Sequence, residues 1–211
     1  MTSGEEMVES ALQHLKSADP VIGSVIDAVG PYRLKRQRAR FRSLVRAIIA
    51  QQISTSAARS ITSRLVEALK PGQLTAEGVA AMSFEELRGC GLSPQKAGYI
   101  HDLAARVAEG SVPLSRMGRW PDERIIECLT QVRGIGVWTA QMFLIFSMGR
   151  PDVFPPDDLG IRTAIRNLYG LAELPDRATS LRIAEPWRPY SSVASWYCWR
   201  SIELSQGSPQ P

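Results

Sequence analysis

The chain has 211 residues, 44% hydrophobic and 22% charged, enough for a core in one large domain or two small ones and unlike a disordered tract. Lys and Arg number 25 against 21 Asp and Glu, a net charge of +4 that permits a nucleic-acid partner without demanding one. Three scattered cysteines (Cys90, Cys128, Cys198) exclude a disulfide framework, a CxxC zinc pair and a four-Cys iron–sulfur cluster held by this chain, and His14 and His101 lack metal-ligand spacing.

In chain order, residues 5–17 and 19–29 read as two helices. PYRLKRQRARFR (31–42) follows, with six Arg or Lys in twelve residues. It is either a solvated, charged helix start or a phosphate-contacting patch, and charge patterning alone does not choose. Leu44, Val45, Ile48 and Ile49 form a helical stripe, continued by Ile61, Leu65, Val66 and Leu69 after a break near Ser54 and Thr55. Ser93 and Pro94 read as N-cap and first position of a helix with Ile100, Leu103 and Val107 on its apolar side and Gly110 as its stop. Ile161, Ala164, Ile165 and Leu168 form another stripe, ended by Gly170. Turn residues at Pro71-Gly72, Gly89 to Gly91, Gly110 to Pro113 and Gly149 to Pro156 punctuate the chain. Sustained β-alternation is nearly absent. The expectation is an all-α protein of about ten helices. No flexible linker splits it, so two lobes fit better than two separate beads: 38–150 as one helical bundle, 1–37 plus 151–205 as the other. Residues 206–211 are expected to fray.

The most informative segment is CLTQVRGIGVWTAQMFLIF (128–146). Gly134 and Gly136 around Ile135 allow the dihedrals of a tight hairpin between helices and close approach to another surface. The N–H groups opening the next helix would then form an anion site. A DNA phosphate suits it, because such a contact requires no particular base. A bare G-x-G is more often an ordinary helix corner, so the company it keeps matters.

That company is RPDVFPPDDLGIRTAIRNLYG (150–170). Pro155-Pro156 imposes an extended approach. Asp157 reads as the N-cap and Asp158 as the first helical residue. Two acids there could simply complement the helix dipole. Alternatively one caps while the other stays ionised beside a helix N-terminus, suited to a reaction that develops positive charge.

LTQVRGIGVWTA followed by DVFPPDDLGI resembles the helix-hairpin-helix DNA glycosylase superfamily, in its 3-methyladenine DNA glycosylase II, or alkylation-repair, branch. The likeness extends from FRSLVRAIIAQQIS to WRPYSSVASWYCWR, about residues 38 to 205. It implies a two-lobed helical fold with a DNA cleft between the lobes. It implies a monofunctional enzyme that flips alkylated purines out of duplex DNA and hydrolyses the N-glycosidic bond in base excision repair. A glycosylase for oxidised or deaminated purines, or a silent DNA-damage binder, are the alternatives.

The resemblance carries over residue by residue. Asp158-Leu159-Gly160-Ile161 fits the family's D-x-x-I frame, making Asp158 the catalytic acid and leaving Asp157 to capping or support. The place just after the hairpin where some members carry a nucleophilic Lys is taken by Trp138, so no lyase step is expected. Trp138 and Trp199 match base-binding aromatics, and Met142 stands where relatives carry an aromatic. Trp187 and Trp196 are expected in the core. Gln51 and Gln52 occupy the place of the residue that fills the vacated base position, with Gln52 the candidate wedge. Gly134, Gly136 and Thr139 are implied DNA contacts. The carbonyls of Thr130, Val132 and Ile135 are implied ligands of a structural monovalent cation, with no cofactor required for the chemistry. The two N-terminal helices replace the extra β domain that many bacterial members of the branch carry. Cys198 alone cannot make the iron–sulfur cluster of endonuclease III relatives.

No apolar run reaches the roughly 18–20 residues of a membrane span, and the polar start MTSGEEMVES is no signal peptide. The expectation is a monomer acting on duplex DNA, away from membranes, in the cytoplasm, or on the nucleoid if bacterial.

Overall fold

The computed structural model describes residues 3–69 and 74–205. Among these are twelve α-helices and no strand. The tail 206–211 and the Pro71-Gly72 turn lie outside the described residues. The chain divides into two compact units: residues 36–148, and the two chain ends together, up to Lys35 and from Gly149 onward.

The unit built from the chain ends holds α1 (Ser3–Ala18), α2 (Pro20–Val29), α10 (Leu159–Leu168), α11 (Arg177–Ala184) and α12 (Ser191–Ser205). Asp19 caps α2, its Oδ1 accepting from Val21 N–H at 2.9 Å and Ile22 N–H at 3.2 Å, with Pro20 opening the helix. The other oxygen accepts the indole N–H of Trp187 at 2.8 Å and the hydroxyl of Tyr169. This carboxylate is 5% exposed, and four donors offset its removal from water. The core of this unit holds Leu15, Ile22, Ile26 and Tyr197 with Ile161, Ala164 and Ile165 of the stripe expected on α10, and Leu168 is partly buried against it. Trp187 is fully buried, as expected of a core residue. Trp196 is half-buried, edge-on to Tyr32 with ring centroids 5.0 Å apart. Helix α12 is buried on most sides through Ser191–Ser195, Tyr197 and Cys198, which is why it shows no one-sided stripe.

The other unit begins with an extended strap rather than a helix start. Gln37 N–H donates to Phe146 O at 2.8 Å, Ser147 Oγ donates to Gln37 O at 2.9 Å, and the Arg36 guanidinium donates to Met148 O. Of the six basic residues in the run, only Arg40 and Arg42 enter α3 (Arg40–Ala50). Helix α3 buries Leu44, Val45, Ile48 and Ile49, the expected stripe. α4 (Thr55–Ala68) starts at Ser54, which caps Ala57 N–H. α5 (Ala76–Ala80) and α6 (Phe84–Gly89) are short; a Ser83–Glu86 capping box sets the start of α6. α7 (Pro94–Ala108) begins at the expected Ser93 cap. α8 (Asp122–Thr130), the Gly134–Gly136 hairpin and α9 (Val137–Phe143) follow. A π turn at Leu144–Met148 prolongs α9, and its residues 146 and 148 supply carbonyls to the strap.

Candidate functional site

The Pro-rich loop does not divide its acids as the sequence suggests. Asp158, not Asp157, is the N-cap of α10: its Oδ1 accepts Ile161 N–H at 2.8 Å. Asp157 is exposed and pairs with Arg177. The chain is extended up to Pro155 and turns through Pro156-Asp157, closed by Asp158 N–H donating to Pro155 O at 3.1 Å, which puts the cap one residue later than local propensity suggests.

Asp158 is 8% exposed and its Oδ1 takes a second hydrogen bond, from the indole N–H of Trp199 at 2.9 Å. The structure therefore joins two of the expected site residues, 41 positions apart, in one contact. The helix start and the two donors fix the orientation of this carboxylate. Gly160 permits the arrangement. A Cβ there would stand 3.0 Å from both Asp158 Oδ1 and Trp199 Cδ1. The one signal of this role in the sequence is a glycine in the first turn of a helix, where glycine is otherwise unfavourable.

The start of the loop is held by α12. Ser192 N–H donates to Pro151 O at 2.9 Å, and Val153 N–H donates to Ser192 Oγ at 2.9 Å. Ser191 Oγ donates to Asp152 Oδ1 at 2.6 Å. The first turn of α12 thus anchors the loop, and its third turn carries Trp199 to the carboxylate.

In the other unit, Gly134 has φ +82°, and a Cβ on it would fall 2.1 Å from the Tyr99 ring, so both backbone and space demand glycine. Ile135 N–H closes the turn onto Val132 O at 3.1 Å. Gly136 is the N-cap of α9 and offers no side-chain acceptor to its first-turn N–H groups. Trp138, 47% exposed, and Val137, 48% exposed, stand on this helix start. Thr139, in the same turn, is 6% exposed. Its side chain turns toward the core at the third helical position, which leaves its backbone N–H for the expected DNA contact. With Met142, Phe146, Arg46 and Arg59 it lines a cavity of about 430 Å³. Trp138 is not on that wall.

Gln51 and Gln52 differ sharply. Gln51 is half-buried and its Nε2 donates to Gly134 O at 2.9 Å, tying the end of α3 to the hairpin. Gln52 is exposed with φ +55°, the one non-glycine residue of positive φ among the described residues. Such strain persists only where surroundings hold it, and it clusters at functional sites.

The Thr130 hydroxyl donates back to Ile126 O at 2.9 Å and Glu127 O at 3.1 Å, leaving ligation to its carbonyl. Val132 O keeps a second lone pair after accepting Ile135 N–H. No group of three His, Cys, Asp or Glu among the described residues could hold a metal ion, and no helix there is long and apolar enough to cross a membrane.

An all-helical chain with a glycine-built hairpin in one unit and a dipole-held aspartate in the other is a helix-hairpin-helix protein. Residues 45–189 match the model of the HhH-GPD superfamily base excision DNA repair proteins, and the chain belongs to that superfamily. Among its relatives is DNA-3-methyladenine glycosylase 1 of Schizosaccharomyces pombe, 35% identical over 209 residues, covering 95% of this chain and 92% of the relative. The solved structure of the S. pombe 3-methyladenine DNA glycosylase in complex with abasic DNA superposes with a TM-score of 0.82 at 35% identity, covering 93% of this chain and 98% of that one. A DNA-3-methyladenine glycosidase from Bacillus halodurans gives 0.85 at 30% identity, covering 94% and 92%.

Proposed function

We propose that this protein excises alkylated purines, of the 3-methyladenine and 7-methylguanine type, from duplex DNA and leaves an intact abasic site. The observation that carries the reading is the buried Asp158 carboxylate, fixed at the start of α10 by Ile161 N–H and Trp199 Nε1–H. Loss of a base from deoxyribose passes through an oxocarbenium-like sugar. A carboxylate already held in place stabilises that charge without reorganising, and orients the water that adds to the anomeric carbon. Alkylated purines carry positive charge and are good leaving groups, so the demand on the acid is modest. The names of the S. pombe and B. halodurans relatives support the substrate class, and the abasic DNA bound by the former fits the product.

In this reading the target nucleotide leaves the stack and Gln52, exposed on its strained turn, fills its place. Trp138 and Trp199 offer aromatic faces to a cationic base, and Met142 shapes a neighbouring wall. The Gly134–Gly136 hairpin and the uncapped start of α9 receive a backbone phosphate. The carbonyls of Thr130, Val132 and Ile135 would hold a monovalent cation that screens that phosphate, and no step of the chemistry passes through it. Trp138 supplies no amine, so no Schiff base forms at its position. The protein acts as a monomer on DNA, in the cytoplasm or on the nucleoid.

The test incubates the protein with methylated duplex DNA and measures free bases by chromatography. Release of methylated purines is expected. Asp158→Asn should abolish release while binding survives, because Asn caps a helix about as well as Asp. Wild-type turnover in that variant would defeat the assignment. A covalent adduct trapped by borohydride would defeat the monofunctional reading.

A further inference from the structure

Helix α7 turns Lys96, Tyr99 and Asp102, three residues apart, toward one side. Each engages a different piece of chain. Lys96 Nζ donates to Ile49 O at 2.7 Å and Gln51 O at 2.6 Å, the carbonyls that end α3. The Tyr99 ring fills the space under Gly134. Asp102 Oδ2 accepts Arg133 N–H at 2.9 Å, just before the hairpin. Gln51 Nε2 closes the circuit on Gly134 O.

The end of α3 needs this support. It has no glycine, and Gln51 N–H reaches Ile48 O only at 3.4 Å. The next residue is Gln52 with φ +55°. A left-handed conformation is unfavourable for a residue that bears a Cβ, so an unsupported turn would relax. Lys96 meets the negative end of the α3 dipole with two charge-assisted bonds, both to peptide carbonyls.

We propose that Lys96 is a positioning residue for DNA opening: it holds the Gln51–Gln52 turn in its strained form, in fixed register with the hairpin, so that Gln52 stands ready to fill the space of an extruded nucleotide. This rests on Gln52 being the wedge. Lys96 touches neither the base nor the sugar and acts only through the turn.

The experiment uses the full chain and duplexes with one 7-methylguanine and a neighbouring 2-aminopurine, either fully paired or with the lesion in an unpaired loop. Fluorescence reports extrusion, single-turnover kinetics report release, and thermal melting reports folding. Lys96→Met is expected to lower extrusion and release on the paired duplex about tenfold, the scale of a lost charged hydrogen bond. Release from the unpaired loop should hardly change, since no opening is needed there. Lys96→Arg, which keeps the charge, should recover most of the loss. The double variant Gln52→Ala/Lys96→Met should be no worse than Gln52→Ala. Lys96→Gln replaces Lys96→Met should the latter melt below the assay temperature.

A normal Lys96→Met beside an impaired Gln52→Ala overturns the positioning role and leaves the wedge standing. A silent Gln52→Ala overturns the wedge and this proposal with it. Equal losses on paired and unpaired substrates, or fully additive losses in the double variant, show that Lys96 acts elsewhere and overturn the proposal.

Discussion

Trp199 donates its indole N–H to the same Asp158 oxygen that caps α10, at 2.9 Å, while Ile161 N–H donates to it at 2.8 Å. One oxygen thus joins the helix start to α12. Trp199→Phe keeps the ring and removes the donor. A hydrogen bond to a charged group contributes about 1.5–3 kcal/mol, so release should slow at least about tenfold. Melting should fall as well, since the same bond holds the folded state, while the cap on Ile161 N–H survives. Single-turnover kinetics beside a melting curve check both.

Gly160→Ala separates stability from activity. Alanine is the better helix former by about 1 kcal/mol, but its Cβ would press on Asp158 Oδ1 and Trp199. The expected outcome is a protein that melts near the wild-type temperature and releases base roughly tenfold more slowly, the penalty of a displaced catalytic group. An Ala variant with full activity would show that the contact is slack.

Gly134→Ala should be costly in a different way. Its φ of +82° and the Tyr99 ring at 2.1 Å add strain to a clash that a ring packed under the hairpin cannot easily relieve. Destabilisation of about 2 kcal/mol or more is expected, with weakened DNA binding. Denaturant unfolding and a salt titration of binding measure the two effects.

Alkali should unfold the protein through its tyrosines. Burial pushes Tyr197 up to about 12, and its hydroxyl donates to Gly30 O at 2.9 Å. Tyr169 is pushed higher still, first by burial and then by the Asp19 carboxylate that its hydroxyl meets. Both phenols are neutral in the folded state at a pH where the unfolded chain has begun to ionise, near 10. Their contribution is complete below that point and is lost as pH rises from about 10 toward 12, at about 1.4 kcal/mol per pH unit for each. Tyr197→Phe should flatten the decline in stability over that window, measured by unfolding at stepped pH. An unchanged slope would contradict the burial argument.

Much of this molecule is written locally. The stripes on α3 and α10, the Ser93 cap and the glycine hairpin all depend on residues within one or two turns, so chain order alone specifies them. The resemblance to helix-hairpin-helix glycosylases rests on those same short motifs. Which of two adjacent acids caps α10 was already beyond local propensity, because the Pro-Pro approach decides where the helix starts. The contacts that make a site lay further out of reach. Trp199 meets Asp158 across 41 residues, Trp187 meets Asp19 across 168, and Tyr99 lies under Gly134 from another helix. Thr139 faces a cavity because its helix is packed that way round. Caps and periodicity are settled by neighbours along the chain; these pairings are settled by how whole helices pack, which no local pattern encodes.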